Sequence, residues 1–207
     1  IKLDWVNENN KKYAYATSFG INRMLGQENE KQDFIKNLKR FERVSVRETP
    51  SVKMLFNDAN IYSTCNIDPV FLCNKQHYIN MLQPFEKYAN HDGTCAYILD
   101  PNKNKQHVIE CVLDGSKNKF IVSDMWRNEE NLKSLWSIDT YVGVKNETWL
   151  ANIYYCKNVI TDSFHGLCFA IIFNKPFIVL QNKLRGNDRF LSLLKLLNLE
   201  YRLLSED

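Results

Sequence analysis

Val159-Ile160-Thr161-Asp162-Ser163-Phe164-His165-Gly166-Leu167 sets four small or polar residues between a β-branched run and an apolar run that continues to Phe173. A short β-branched run reads as a buried strand, Val159–Thr161, and the longer one as a buried helix, Gly166–Phe173. The window is therefore a strand-loop-helix junction. The layout recurs at once downstream. Pro176–Leu180 reads as a strand, Asn182-Lys183-Leu184-Arg185-Gly186-Asn187 as a loop, and Asp188–Leu197 as an amphipathic, Leu-rich helix.

Upstream the same rhythm holds. Strands are expected at Tyr13–Ser18, Val44–Val46, Ile61–Cys65, Cys95–Leu99 and Phe120–Ser123. Helices are expected at Glu28–Phe41, from Thr49 to about Asn57, and at Lys75–Leu82, Lys105–Leu113 and Glu147–Tyr155. In the first, Phe34, Ile35, Leu38 and Phe41 make one apolar stripe; in the second, Thr49 reads as the N-cap with Pro50 at the first helical position. Glu129–Trp136 is only weakly patterned. Strands alternating with helices of this length require crossover connections, so the expected class is α/β with parallel sheets covered on both faces. The polar stretch 85–93 reads as a linker. It separates residues 1–84 from a C-terminal domain, 94–190, which is followed by a closing helix and tail, 191–207.

Composition removes several function classes. The 207 residues are 44% apolar and 25% charged with a formal charge of +3, a globular balance too weakly basic to predict nucleic-acid binding. The longest apolar stretch falls far short of the ~20 residues of a membrane helix, and no leader pattern opens the chain. Six scattered cysteines form no C-x-x-C pair and no metal-ligand spacing, so reduced thiols in a cytoplasmic protein are expected and no metal is. Seven glycines include neither G-x-G-x-x-G nor a P-loop. The chain opens on Ile1 rather than Met and reads as a piece of something longer.

In open α/β sheets the ligand crevice lies beyond the carboxyl ends of the strands, which directs attention to three windows. At Asp162–Gly166, Ser163 and Gly166 leave room for a ligand, and the unpaired N–H groups of the following helix favour an anion. The alternative is that Asp162 or Ser163 caps the helix and His165 packs against its neighbours. At Lys183, Arg185 and Arg189, cations stand at a helix start, the unfavoured end for them; a bound anion would offset that repulsion, and a solvated basic turn is the alternative. At Arg47-Glu48 a strand ends in an arginine, read either as facing the crevice or as a surface pair with Glu48. Asp68-Pro69 and Asp100-Pro101 read as turn chemistry.

Taken together, Tyr13–Gly20, Phe41–Glu48, Ile67-Asp68-Pro69, the block from Asn158 to Leu180 and Arg185–Phe190 resemble the polysaccharide pyruvyl transferase family. The resemblance implies two Rossmann-like domains facing across a cleft, the GT-B arrangement, with the first domain incomplete at its N-terminus. It also implies transfer of pyruvate from phosphoenolpyruvate onto two hydroxyls of a sugar, in a polysaccharide or its precursor, lipid-linked or free, as a cyclic ketal. Phosphoenolpyruvate is then a co-substrate, with no further cofactor and no metal. His165 is implied as the proton shuttle. Arg47, Lys183, Arg185 and Arg189, with Asp162, Ser163, Phe164 and Gly166, are implied at the donor site. A glycosyltransferase using a nucleotide sugar, or a non-catalytic subunit of a synthesis complex, are the competing readings.

Overall fold

Short β-branched and aromatic runs alternating with amphipathic helices give two parallel sheets in the computed structural model, which describes residues 3, 5–7, 9–20, 23–89, 91, 93–112, 119–123, 140–142 and 145–205. The weakly patterned Glu129–Trp136 lies outside the described residues. The chain forms two compact units, one made of Ile1–Pro69 with Arg185–Asn198 and the other of Val70–Leu184 with Leu199–Asp207.

In the first unit, strands β1 (Tyr13–Thr17), β2 (Arg43–Val46) and β3 (Thr64–Cys65) lie parallel in that order. Helices α1 (Glu28–Leu38) and α2 (Thr49–Ala59) supply the apolar cover. Leu38, Val44, Val46, Met54, Leu55, Ala59 and Ile61 are buried together, with Phe34, Ile35 and Phe41 packed against them, so the stripe read in the sequence is the stripe that is buried. Each large aliphatic side chain so removed from water contributes about 1.5–3 kcal/mol.

Two local expectations are corrected. The N-cap of α2 is Glu48, not Thr49: Glu48 is extended (φ −124°, ψ 130°), Thr49 is already helical, and the Glu48 carboxylate turns away from the helix. The strand expected at Ile61–Cys65 shrinks to Thr64–Cys65 because Ile61 is still leaving α2, its N–H donating to Leu55 O at 3.0 Å.

β1 carries a bulge. Its register with β2 shifts between Ala14 and Thr17, and Ala16 sits in the left-handed region at φ 47°. Ser45 repairs the interrupted ladder: its hydroxyl accepts from Ala16 N at 2.8 Å and donates to Ala14 O at 3.1 Å. A buried hydroxyl thus satisfies two backbone groups that the bulge would orphan.

The second unit holds β4 (Thr94–Ile98), β5 (Lys119–Ser123), β6 (Thr140–Val142), β7 (Asn158–Thr161), β8 (Phe177–Leu180) and β9 (Leu203–Leu204), all parallel in the order β6-β5-β4-β7-β8-β9. This is the doubly wound order, with its reversal point between β4 and β7. Helices α3 (Lys75–Leu82), α4 (Lys103–Val112), α5 (Asn146–Tyr155) and α6 (Phe164–Ile172) connect or cover it. Ala96, Ile98, Ile109, Ile160 and Leu180 form its core.

The stretch 85–93, expected as a linker, lies within the second unit rather than between the two. α3 and the 3-10 turn Gln83–Tyr88 pack on α5, and the Tyr78 ring meets Phe169 edge-on at 5.1 Å. The last helix, α7 (Asp188–Leu196), belongs to the first unit, so the expected domain 94–190 is split at Leu184–Arg185. Of the six cysteines, Cys95, Cys156 and Cys168 are buried, while Cys65, Cys73 and Cys111 are exposed. Among the described residues no helix is long and apolar enough to cross a membrane.

Candidate functional site

In the second unit the loops that leave β4, β7 and β8 converge on one carboxylate. Asp162 Oδ1 accepts from Leu99 N at 2.6 Å, and Oδ2 accepts from Asp100 N at 3.0 Å, Lys105 Nζ at 2.8 Å and Asn182 Nδ2 at 3.2 Å. Lys105 also donates to Asp100 O at 3.0 Å, and Asn182 to Asp100 Oδ2 at 2.8 Å. All four residues are buried, Lys105 at 2% exposure and Asp162 at 1%. Charged side chains so far from water persist only where they are paired and hydrogen-bonded in this way. The group fastens three strand ends together where the sheet's connectivity reverses.

Upon that base stands the α6 junction. Ser163 is extended and buried, and it caps the helix, its Oγ accepting from Gly166 N at 3.4 Å, while its own N–H donates to Thr161 Oγ1 at 3.0 Å. Phe164 is buried as well, its ring 5.9 Å from the His165 imidazole. A Cβ on Gly166 would lie 3.1 Å from Thr161 Cβ and 3.2 Å from Cγ2, so glycine here lets α6 pack close on β7. The room read in the sequence as space for a ligand is occupied by Thr161. From Thr161 to Ala170 every residue is buried except His165, which is exposed. The junction therefore presents one imidazole to solvent at the N-terminus of a helix, beside the reversal point. Lys183, just past Asn182, is also exposed.

In the first unit the carboxyl ends of its strands gather a second group. Arg47 follows β2, its N–H donating to Thr17 O at 3.1 Å, and its guanidinium Nη1 is paired with Asp68 Oδ2. Its partner is therefore Asp68 and not the neighbouring Glu48. Glu48, fully buried, accepts instead from Ser18 Oγ and from Gly20 N at 3.0 Å. Gly20 has φ +75°, and a Cβ there would lie 2.9 Å from Arg185 O and 3.9 Å from the Arg189 guanidinium, a conformation and a gap that suit glycine alone.

Arg189 Nη2 donates to Arg185 O at 3.2 Å; Arg185 is exposed and Arg189 partly so. Burial, and then the charge of Glu48, pushes the Asp188 carboxyl above its usual range. The start of α7 is thus not purely basic: Asp188 occupies its first turn, the end of the helix dipole that favours an acid. A cavity of about 740 Å³ runs along β1, lined by Tyr13, Tyr15, Ser18, Phe34 and Arg47 among others.

The expected site residues therefore fall into two sets. Asp162, Ser163, Phe164, His165, Gly166 and Lys183 are in the second unit, and Arg47, Arg185 and Arg189 in the first. The sequence suggests no role for Lys105 or Asn182, only a surface pairing with Arg47 for Glu48, and only a place in turns for Asp68 and Asp100. For Asp68 and Asp100 the signal is an Asp before a proline, which is also ordinary turn chemistry. Among the described residues no group of three or more His, Cys, Asp or Glu is placed to hold a metal.

The chain is thus an α/β protein of two parallel-sheet units, each with polar and cationic side chains at the carboxyl ends of its strands. The sequence model of the polysaccharide pyruvyl transferase family matches residues 1–183, and the chain belongs to that family. No curated protein matches the chain. Among solved structures, one of the wall teichoic acid polymerase TagF is similar, at 14% identity and a TM-score of 0.45. That similarity covers 93% of this chain and 55% of TagF, so the chain spans little more than half the length of that neighbour.

Proposed function

We propose that the protein is a transferase that moves pyruvate from phosphoenolpyruvate onto two hydroxyls of a sugar in a polysaccharide or its precursor, lipid-linked or free. The observation that carries this reading is His165, the single exposed side chain in an otherwise buried strand-loop-helix junction of a chain in this family. In the reaction the methylene carbon of phosphoenolpyruvate gains a proton and becomes the methyl group. One sugar hydroxyl adds to the central carbon, the bond from that carbon to the phosphate oxygen breaks, and the second hydroxyl closes the ketal. Of the two hydroxyl protons, one balances the proton taken up by the methyl group and the other leaves with inorganic phosphate.

A group that gives and takes protons near neutral pH suits every one of these steps, and imidazole is that group. Arg47, Lys183, Arg185 and Arg189 are proposed to hold the donor's carboxylate and phosphate, arginine being suited to both through its planar fork. Asp162, Ser163, Phe164 and Gly166 shape the junction that presents His165. The GT-B arrangement and a cytoplasmic setting, where such a donor is made, belong to the same proposal.

The test is ligand-dependent stability. Phosphoenolpyruvate at ~100 times its Kd adds about 2.7 kcal/mol, roughly 5–10 °C in Tm for a chain of this size. That shift is expected with phosphoenolpyruvate, smaller with phosphate or pyruvate, and lost in Arg47→Ala. A shift with UDP and none with phosphoenolpyruvate would replace the reading with a nucleotide-sugar glycosyltransferase. No shift with any of these anions would favour a non-catalytic subunit.

A further inference from the structure

We infer that Asp68 is a positioning residue for Arg47, holding the guanidinium in the orientation that the proposed donor site requires; the inference rests on that reading of Arg47. The two side chains leave the carboxyl ends of adjacent parallel strands, Arg47 directly after β2 and Asp68 three residues after β3. Asn66 N donates to Val46 O at 2.8 Å, which carries the β2–β3 pairing one step further and fixes the approach of the second segment to the first.

Asp68 is itself held. Pro69 follows it, and a proline confines the preceding residue to extended backbone. Pro69 also opens the 3-10 turn Pro69–Leu72, so the Asp68 carboxylate is delivered from a stiff junction. Its side chain is 2% exposed and that of Arg47 14% exposed, so both are largely buried, the acid more deeply than the base.

This asymmetry has a chemical reading. A guanidinium offers five N–H donors in one plane, and anchoring Nη1 fixes the plane and the direction of the remaining edges. A long side chain that would otherwise lose rotamer freedom on binding an anion has already lost it in the folded protein. Asp68 also brings a negative charge close to an anion site. Orientation and repulsion therefore make opposite predictions for its removal, and this makes the inference decidable.

The experiment measures phosphoenolpyruvate binding by calorimetry, with inorganic phosphate as a second probe, for the wild type, Asp68→Ala, Asp68→Asn, Arg47→Ala and the two double variants. Asp68→Ala is expected to weaken phosphoenolpyruvate binding about tenfold, within the coupling range of contacting residues. Asp68→Asn, nearly isosteric and still able to accept one hydrogen bond, is expected to fall between Asp68→Ala and the wild type. In the Arg47→Ala background neither Asp68 change is expected to weaken binding further. A merely structural Asp68 would lower Tm and binding alike in both backgrounds, which overturns the inference. Unchanged or tighter binding in both Asp68 variants, with Arg47→Ala still defective, would overturn the inference alone. Full binding by Arg47→Ala would overturn the donor reading of Arg47 and the inference with it.

Discussion

His165→Ala is expected to lower turnover by at least ~10²-fold while leaving Tm within a few degrees. The size of the kinetic effect is that of losing a positioned acid–base group. The small structural effect follows from exposure: His165 is the one solvent-facing residue between Thr161 and Ala170, so its removal opens no cavity. Because Ser163 supplies the cap, α6 keeps its N-terminus without the imidazole. Steady-state rates of phosphate release, with Tm measured on the same samples, check both halves. A fall in Tm of ten degrees or more alongside the lost activity would return His165 to a packing role.

Asp162→Asn is expected to be the most destabilising single change in the second unit, costing about 3–5 kcal/mol and, for a chain of this length, roughly 10 °C. Asp162 Oδ2 faces three donors and Oδ1 one, so an amide placed either way turns an NH₂ group against an N–H. The change also leaves Lys105, 2% exposed, with a buried charge and no ionised partner at Asp162. Adding Lys105→Met should recover only part of the loss, because the Leu99 and Asp100 N–H groups remain misfitted. Urea denaturation of the single and double variants measures this. Wild-type stability in Asp162→Asn would show that the carboxylate is not what fastens the three strand ends.

The fold was legible where a residue's neighbours in sequence are also its neighbours in space. Phe34, Ile35 and Leu38 recur at helical spacing and are buried together, and the apolar run after Gly166 is a buried helix as its composition requires. Strands of two or three residues, such as β6 and β9, carry too few residues for an alternation to show. The hydrophobic packing of Ile61 could not be told from strand membership for the same reason.

In the candidate site, His165 and the cations stood out because each breaks a local pattern. Asp162 stood in the same window as His165, but its part in joining the strand ends did not show, because its partners Asp100, Lys105 and Asn182 span 82 residues of chain and each is unremarkable among its own neighbours. Arg47 was read beside Glu48, its neighbour in sequence, whereas its ion-pair partner lies 21 residues away. Buried ionic pairing is a tertiary fact, and adjacency is a poor guide to it.

The family match ends at residue 183, but the architecture does not. Beyond it, α7 belongs to the first unit, with Arg185 and Arg189 packed over Gly20, and β9 adds a strand to the second, with Gln181 N donating to Leu204 O at 3.0 Å and the Arg202 guanidinium 5.1 Å over the Phe177 ring. Neither unit is one continuous stretch of chain, so a gene fragment or premature stop that preserved every recognisable motif would still leave both unfinished. A crossover at Leu184–Arg185 therefore divides both units at once.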